Sequence, residues 1–263
     1  MTVCTAAIRM ALPLLAGLLL LACGHKPPTP AWQINSHAAL QAAENAWLAG
    51  RTSEAQHEWN KAREQVSLTG DPARLARLEL RRCAVQVASL DWQDCTGFEV
   101  LRPVAGQVEQ AYADYLYAPS ATLQTPLLPA AQQGVARVLE ADAPAAFPQA
   151  VAAVAKVEEP LSRLLAAAVA LRRYGAAENM PENADGPAMQ TLLQTAIDTA
   201  SAQGWRRPLL AWLALQAQYA QRSGNEALLV ESQMRIRLIE NRGTASASPA
   251  IAPATGAEPS DRP

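Results

Sequence analysis

Apolar residues recur at the spacing of an α-helix in nearly every regular segment of this chain. No segment shows the alternation of apolar and polar residues that marks a half-buried strand. The predicted helices cover about 36–49, 53–68, 72–90, 104–117, 127–140, 161–171, 187–202, 206–222 and 225–239. Where short turns join them, successive helices must run antiparallel. The sequence therefore predicts an all-α fold built from antiparallel helix pairs.

Residues that start or stop helices mark the predicted boundaries. Gly50 closes the first helix, and Thr52 or Ser53 is expected to cap the second. Asp71 followed by Pro72 predicts the start of the third helix, because Asp is a good N-cap and proline suits the first helical position.

The first helix pair carries a pattern of small residues and one aromatic. Counted from Ser36, the pattern is Ala43, Ala46, Gly50, Ala55, Trp59 and Ala62. It resembles the tetratricopeptide repeat. The later segment 187–240 resembles it less closely: Trp212, Leu215 and Tyr219 fit, but Gly224 is displaced by one residue. The resemblance implies a helical repeat, and a generic α-hairpin bundle is the alternative.

The amino-terminal segment 1–22 has the layout of a secretory signal. Arg9 is its single charge, and an apolar run from Met10 to Ala22 is too short for an ordinary membrane-spanning helix. The run ends in Leu-Leu-Ala-Cys-Gly at 20–24, which resembles the lipobox of bacterial lipoproteins. The resemblance implies a diacylglyceryl group and palmitate on Cys23, with cleavage just before it. The alternative is an ordinary signal with a cysteine near its cleavage site.

The segments that flank the predicted helical domain have different compositions. Residues 23–32 are expected to be a lipidated, proline-rich tether, and residues 33–242 the helical domain. Residues 243–263 are rich in small residues and proline and lack aromatics, which predicts a disordered tail. Gly24 follows the lipidated cysteine where an inner-membrane retention signal would have Asp. The family rule therefore favours the periplasmic face of the outer membrane.

The net charge bears on the class of partner, and the cysteine content bears on disulfide bonding. Without Arg9, the chain has 24 acidic residues and a net charge of about −3, which argues against a nucleic-acid partner. Cys4 lies in the signal and Cys23 takes the lipid. Cys83 and Cys95 then form a candidate disulfide in an oxidising compartment, although Cys83 also lies on an apolar seam and could be a core residue.

The sequence offers little reaction chemistry. Glu231-Ser232 on a predicted helix resembles the catalytic pair of lytic transglycosylases. The family's downstream cleft residues are missing, so Glu231 is expected to be a solvated helix residue. His25, His37 and His57 lack metal-ligand spacing. We therefore expect no catalytic residues, no metal and no cofactor.

The tryptophans and two arginine pairs are predicted to have structural positions in the fold rather than roles in a site. Trp59 and Trp212 are predicted to lie in the core and Trp32 and Trp205 at the surface. The alternative is a groove for a partner helix or peptide, lined by Trp47, Trp59, Trp205 and Trp212. The pairs at 172–173 and 206–207 are expected to be solvated.

Together these features predict a lipid-anchored, non-catalytic scaffold that binds a protein partner in envelope assembly. The alternatives are a peptidoglycan-acting enzyme of the lytic transglycosylase type and a carrier of a hydrophobic ligand.

Overall fold

The computed structural model describes residues 28–93, 95–117, 123–140, 146–175 and 186–245. Within these ranges the chain forms eleven α-helices and two short 3-10 turns, at Arg102–Val104 and Thr125–Leu127, and it has no strand. The helices are α1 (Ala31–Leu48), α2 (Thr52–Ser67), α3 (Pro72–Ala88), α4 (Thr96–Glu99), α5 (Gln107–Tyr117), α6 (Ala130–Leu139), α7 (Phe147–Val154), α8 (Pro160–Gly175), α9 (Pro187–Ala202), α10 (Arg206–Arg222) and α11 (Glu226–Ala245). The predicted all-α class is confirmed.

Helices α1 and α2 form the predicted hairpin. Gly50 closes it with a φ of +85°, a left-handed conformation that glycine adopts without steric cost. The four alanines of the tetratricopeptide-like pattern are buried together with Trp59 in one cluster. Small side chains allow the two helices to approach closely, and the indole fills the space beside them. The pattern thus describes real packing in this hairpin.

The first helix begins earlier than its periodicity predicts. It starts at Ala31, so Trp32 belongs to α1 and is half-buried, with the Arg74 guanidinium 5.1 Å from the ring centroid. Trp205 is also half-buried and packs against both core clusters. The prediction that these two tryptophans are exposed is wrong, because each contributes to packing where helices meet. Trp59 and Trp212, by contrast, are buried as predicted.

Three other helix ends test the predicted boundaries. Asp71 caps α3 as predicted: its carboxylate accepts hydrogen bonds from the backbone N–H groups of Ala73 and Arg74, at 2.9 and 3.3 Å. At the start of α2 the N-cap residue is Arg51, so the prediction of a Thr52 or Ser53 cap is wrong. Helix α11 continues to residue 245, past the predicted start of the tail at 243.

Helix α8 lies at the centre of the molecule. Every side chain from Leu164 to Leu171 is buried, which requires neighbours on all sides of the helix. Those neighbours are α3, α5, α6, α7 and α9. Four of the eight residues are alanine, whose small side chain leaves room for the surrounding helices. Helix α3 is the longest of these neighbours and also contacts both helices of the first hairpin.

The carboxy-terminal helices close back onto the first hairpin. The Arg207 guanidinium on α10 lies 3.9 Å from the centre of the Trp47 ring, and its Nε donates to the Trp47 carbonyl at 2.9 Å. Trp212 Nε1 donates to the Ala88 carbonyl at 3.2 Å. In a linear repeat array, each repeat contacts only the repeats next to it in the sequence. The antiparallel pairs here are consistent with the predicted repeat or bundle, and this closure is a feature of a bundle.

One arginine of each predicted pair stacks on aromatic rings, which the sequence analysis did not predict. Arg172 lies over the rings of Trp92 and Tyr117, at 5.4 and 5.6 Å, and Arg207 stacks on Trp47. The expectation that both pairs are simply solvated is therefore wrong for Arg172 and Arg207. Their planar guanidinium groups join segments distant in sequence.

Several predicted segments lie outside the described residues. These are the signal at 1–22, Cys23 and the start of the tether, most of the loop at 175–187 and the tail after residue 245. Among the described residues, no helix is both long and apolar enough to cross a bilayer.

Candidate binding groove

Helix α3 carries a row of arginines along one face. Arg74, Arg77 and Arg81 follow one another at intervals of three and four residues, so their side chains project from the same side of the helix. Each is anchored by an acidic side chain. Arg74 Nε donates to Asp71 at 2.9 Å and Arg77 Nε donates to Glu109 at 2.6 Å. Arg81 holds Glu44 on α1 through two hydrogen bonds, of which the one from Nη2 measures 2.8 Å. These ion pairs tie α3 to α1 on one side and to α5 on the other.

A cleft opens on each side of this arginine row. The inner cleft, of about 480 Å³, lies between α3, α5, α8 and the segment around residues 127–129. The outer cleft, of about 690 Å³, lies between α1 and α3 and reaches back to Thr29. Arg77 and Arg81 line both clefts. We call the two clefts and the arginine row between them the α3 groove.

The ion pairs at the α3 groove are asymmetric. The Glu109 side chain is 7% exposed and that of its partner Arg77 is 66% exposed. Glu44 and Arg81 show the same contrast, at 11% and 47%. The carboxylates are thus inside and the guanidinium groups face solvent. In the part of the chain that the structure describes, Arg77 uses only Nε for its ion pair, which leaves its two terminal nitrogens for an occupant.

Burial and hydrogen bonding act in opposite directions on Glu109. Burial disfavours its charged form, but the hydrogen bond from Arg77, backbone N–H groups at the start of α5 and the Arg77 charge favour it. Together the hydrogen bonds and the charge hold the pKa of Glu109 below its ordinary value. Glu109 therefore stays ionised at neutral pH and keeps Arg77 in position.

The floor of the inner cleft is apolar. Leu80, Ala84 and Leu165 are buried there, and Val108 stands at the rim with about half of its surface exposed. Tyr112 also lines this cleft, and burial raises the pKa of its hydroxyl. The phenol is therefore neutral and can act as a hydrogen-bond donor. The α3 groove thus combines an apolar floor with exposed guanidinium N–H donors, whose charges are balanced by Asp71, Glu109 and Glu44.

The predicted site residues lie away from this groove. Cys23 is outside the described residues, so its lipidation stays a prediction. Cys83 and Cys95 are buried and lie at disulfide distance, with their Cα atoms 5.6 Å apart. They connect the carboxyl-terminal half of α3 to the start of α4 and take no part in the arginine row.

The residues considered as catalytic or metal-binding candidates do not form a common site. Glu231 is exposed on α11, whereas Ser232 is fully buried and donates to Gln216 on α10 at 2.9 Å. The two side chains, about 100° apart on the helix, therefore lie in different environments, and the exposed Glu231 is not enclosed in a cleft. His37 and His57 are exposed. No cluster of histidine, cysteine and acidic residues suited to a metal ion occurs among the described residues.

The sequence contained one signal for the groove that our predictions did not use. The spacing of the three arginines on a predicted helix is visible in the sequence. Their buried partners are not, because Glu44 and Glu109 lie 37 and 32 residues away from Arg81 and Arg77. Comparison with protein-family models, with curated proteins and with solved structures found no match to this chain.

Proposed function

We propose that this chain is a lipid-anchored, non-catalytic scaffold of the bacterial envelope that binds a segment of a partner protein in the α3 groove. The partner segment carries acidic side chains for Arg74, Arg77 and Arg81 and apolar side chains for the inner cleft. The anchor is the lipid on Cys23, and the location is the periplasmic face of the outer membrane. The protein acts by holding its partner in envelope assembly.

The observation that carries this proposal is the pairing of exposed guanidinium groups with an apolar floor. Arginine donates in a fixed plane to carboxylates, so it selects acidic side chains by geometry as well as by charge. Because its partner Glu109 is held in place, Arg77 loses less conformational freedom when a ligand binds. An apolar floor then contributes the desolvation energy that surface ion pairs alone do not supply.

The position of the outer cleft supports a partner close to the membrane. Thr29 lines this cleft and is only six residues after Cys23. A fully extended chain of that length spans about 20 Å. The α3 groove therefore lies within a short reach of the proposed lipid, and its partner is expected at or near the membrane surface.

Photo-crosslinking in cells tests the proposal. A photoreactive amino acid is placed at Val108, on the rim of the inner cleft, and in a second strain at Val100, an equally apolar residue that is 82% exposed and lies outside the groove. We expect one discrete protein adduct from Val108 and none from Val100. The combined change Arg77→Gln and Glu109→Gln removes the exposed positive charge of Arg77 and does not leave the buried Glu109 carboxylate unpaired. It should reduce the adduct severalfold.

Other outcomes count against the proposal. Equal adducts from both positions would indicate random encounter, and the absence of any adduct would remove the evidence for a partner in this groove. Lipid extracted from the purified chain after removal of its acyl anchor would favour the hydrophobic-ligand carrier instead. Clearing of purified sacculi that is lost in Glu231→Gln would favour the enzyme.

A further inference from the structure

The outer face of α11 carries an apolar row that nothing covers among the described residues. Val230, Met234 and Leu238 are 61%, 49% and 60% exposed, and they follow one another every fourth residue. This spacing places them in one continuous row along the helix. The opposite face of α11 is already used: Ser232 is buried against α10, and Ile236 and Ile239 pack on the core. A helix with apolar residues on opposite faces is normally buried between two neighbours.

We propose that a second copy of this chain packs against this row, with the two α11 helices antiparallel and related by a two-fold axis at Met234. This arrangement places Met234 beside its own copy and Val230 of one chain beside Leu238 of the other. An isologous contact of this kind closes on itself and needs no second surface.

The charges that flank the row favour this orientation. At about 100° per residue, Glu231 lies about 60° and Arg235 about 100° to the same side of Met234. In a two-fold antiparallel pair the same edges of both helices meet. Glu231 of one copy then lies about two residues, or roughly 3 Å, along the axis from Arg235 of the other. The two-fold axis produces this attractive pair twice, and it places Arg235 of one copy at the same axial separation from its own copy once. The two attractive contacts outweigh this single repulsive one.

A parallel pairing has the opposite charge pattern. Arg237 lies on the other side of the row from Arg235, and in a parallel pair these two edges meet. Arg235 of one copy would then lie within about two residues of Arg237 of the other, and like charges at that distance repel. The charge pattern of α11 therefore selects the antiparallel dimer. Because one helix pair buries less than the ~800 Å² per partner of a typical stable complex, the dimer is weak and depends on concentration.

Cysteine crosslinking of the full-length chain in its own membranes tests this arrangement. Met234→Cys places the new thiol beside its copy at the two-fold axis, whereas Glu240→Cys is a matched control on the exposed surface of the same helix but far from that axis. Under mild oxidation we expect a homodimer from Met234→Cys at least tenfold above that from Glu240→Cys and from the unsubstituted chain. Equal yields at the two positions, no homodimer at all, or an adduct of Met234→Cys with a different protein would each overturn the proposal.

Charge exchange between two chains tests the orientation. Glu231→Arg and Arg235→Glu are each combined with Met234→Cys, and the two chains carry different tags. Each variant alone repels its own copy, but in the mixed dimer the acidic chain faces the basic one. Expressed together, they should form the mixed crosslink roughly three- to tenfold above either homodimer. Random mixing of the three products would contradict the antiparallel arrangement. Residues 231 and 235 repel each other within each variant helix whichever partner it has, so a preference for the mixed dimer can come only from charges that face each other between the two chains.

Discussion

Replacing Arg207 with alanine should weaken the contact that closes the bundle. Its guanidinium stacks on Trp47 at 3.9 Å, and its Nε donates to the Trp47 carbonyl at 2.9 Å. Its Nη2 also donates to the Thr52 hydroxyl at 2.5 Å. These contacts join α10 to the end of α1 and the start of α2, which are separated from it by about 160 residues of chain. Arg207→Ala removes all three at once.

The size of the effect follows from how far each contact is shielded from water. The stacking is partly buried and is worth about 1 kcal/mol. The charged hydrogen bond to the Trp47 carbonyl adds about 1 kcal/mol, because that carbonyl lies at the negative end of α1. It is not left unpaired in the variant, since the Gly50 N–H also donates to it, at 2.9 Å. The bond to Thr52 is exposed and contributes little. We therefore expect a loss of about 2 kcal/mol in the free energy of unfolding and a fall in Tm of about 4–8 °C.

Urea unfolding followed by circular dichroism measures this loss. Arg222→Ala, an exposed arginine at the end of the same helix, is the matched control and should cost less than about 0.5 kcal/mol. Arg207→Lys keeps the charge but lacks the planar group, so an intermediate loss is expected. A double-mutant cycle with Trp47→Leu should give a coupling of about 1 kcal/mol. If Arg207→Ala matched Arg222→Ala, or if the coupling were zero, the stacking would not hold the bundle closed.

Three further predictions concern other parts of the chain. Unfolding without reductant should reveal no free thiol at Cys83 or Cys95, and replacing both with alanine should cost roughly 3 kcal/mol; two reactive thiols would show that the pair is not bonded. The lowered pKa of Glu109 stabilises the folded state above the ordinary carboxyl value, and this contribution is lost as pH falls through the folded value. Stability measured from pH 5 down to pH 3 should therefore fall more steeply in the parent chain than in Arg77→Gln/Glu109→Gln, and parallel curves would contradict that linkage. Cys23→Ser should abolish labelling with radioactive palmitate, and undiminished labelling of this variant would exclude Cys23 as the site of the lipid.

The local sequence predicted the secondary structure well, because helix formation depends on neighbours within a few residues. Helical periodicity identified the first hairpin, and Asp71-Pro72 marked the start of α3. The end at Gly50 was predicted because a left-handed turn favours glycine. The error at Ala31 has the same local origin: the first turn of α1 includes Trp32 and Ile34, and its apolar pattern is weak before Ser36.

The α3 groove could be predicted only in part. The three arginines share a helix face for reasons of spacing alone. Whether they would be solvated or anchored depends on Glu44 and Glu109, which reach α3 from two other helices. Pairing over such separations depends on how whole helices pack, and no local pattern in the chain records it.

What the sequence alone determined is the all-α class, the helix pairs and the prediction of a lipid at Cys23, since each depends on a short motif or a periodicity. The tertiary structure decided how the pairs meet. It buried α8 on every side, stacked Arg207 on Trp47, and left the arginine row of α3 and the apolar row of α11 open. The physical reason is that a helix of either pattern can be covered or exposed, and only the packing of distant helices determines which faces remain available to a partner.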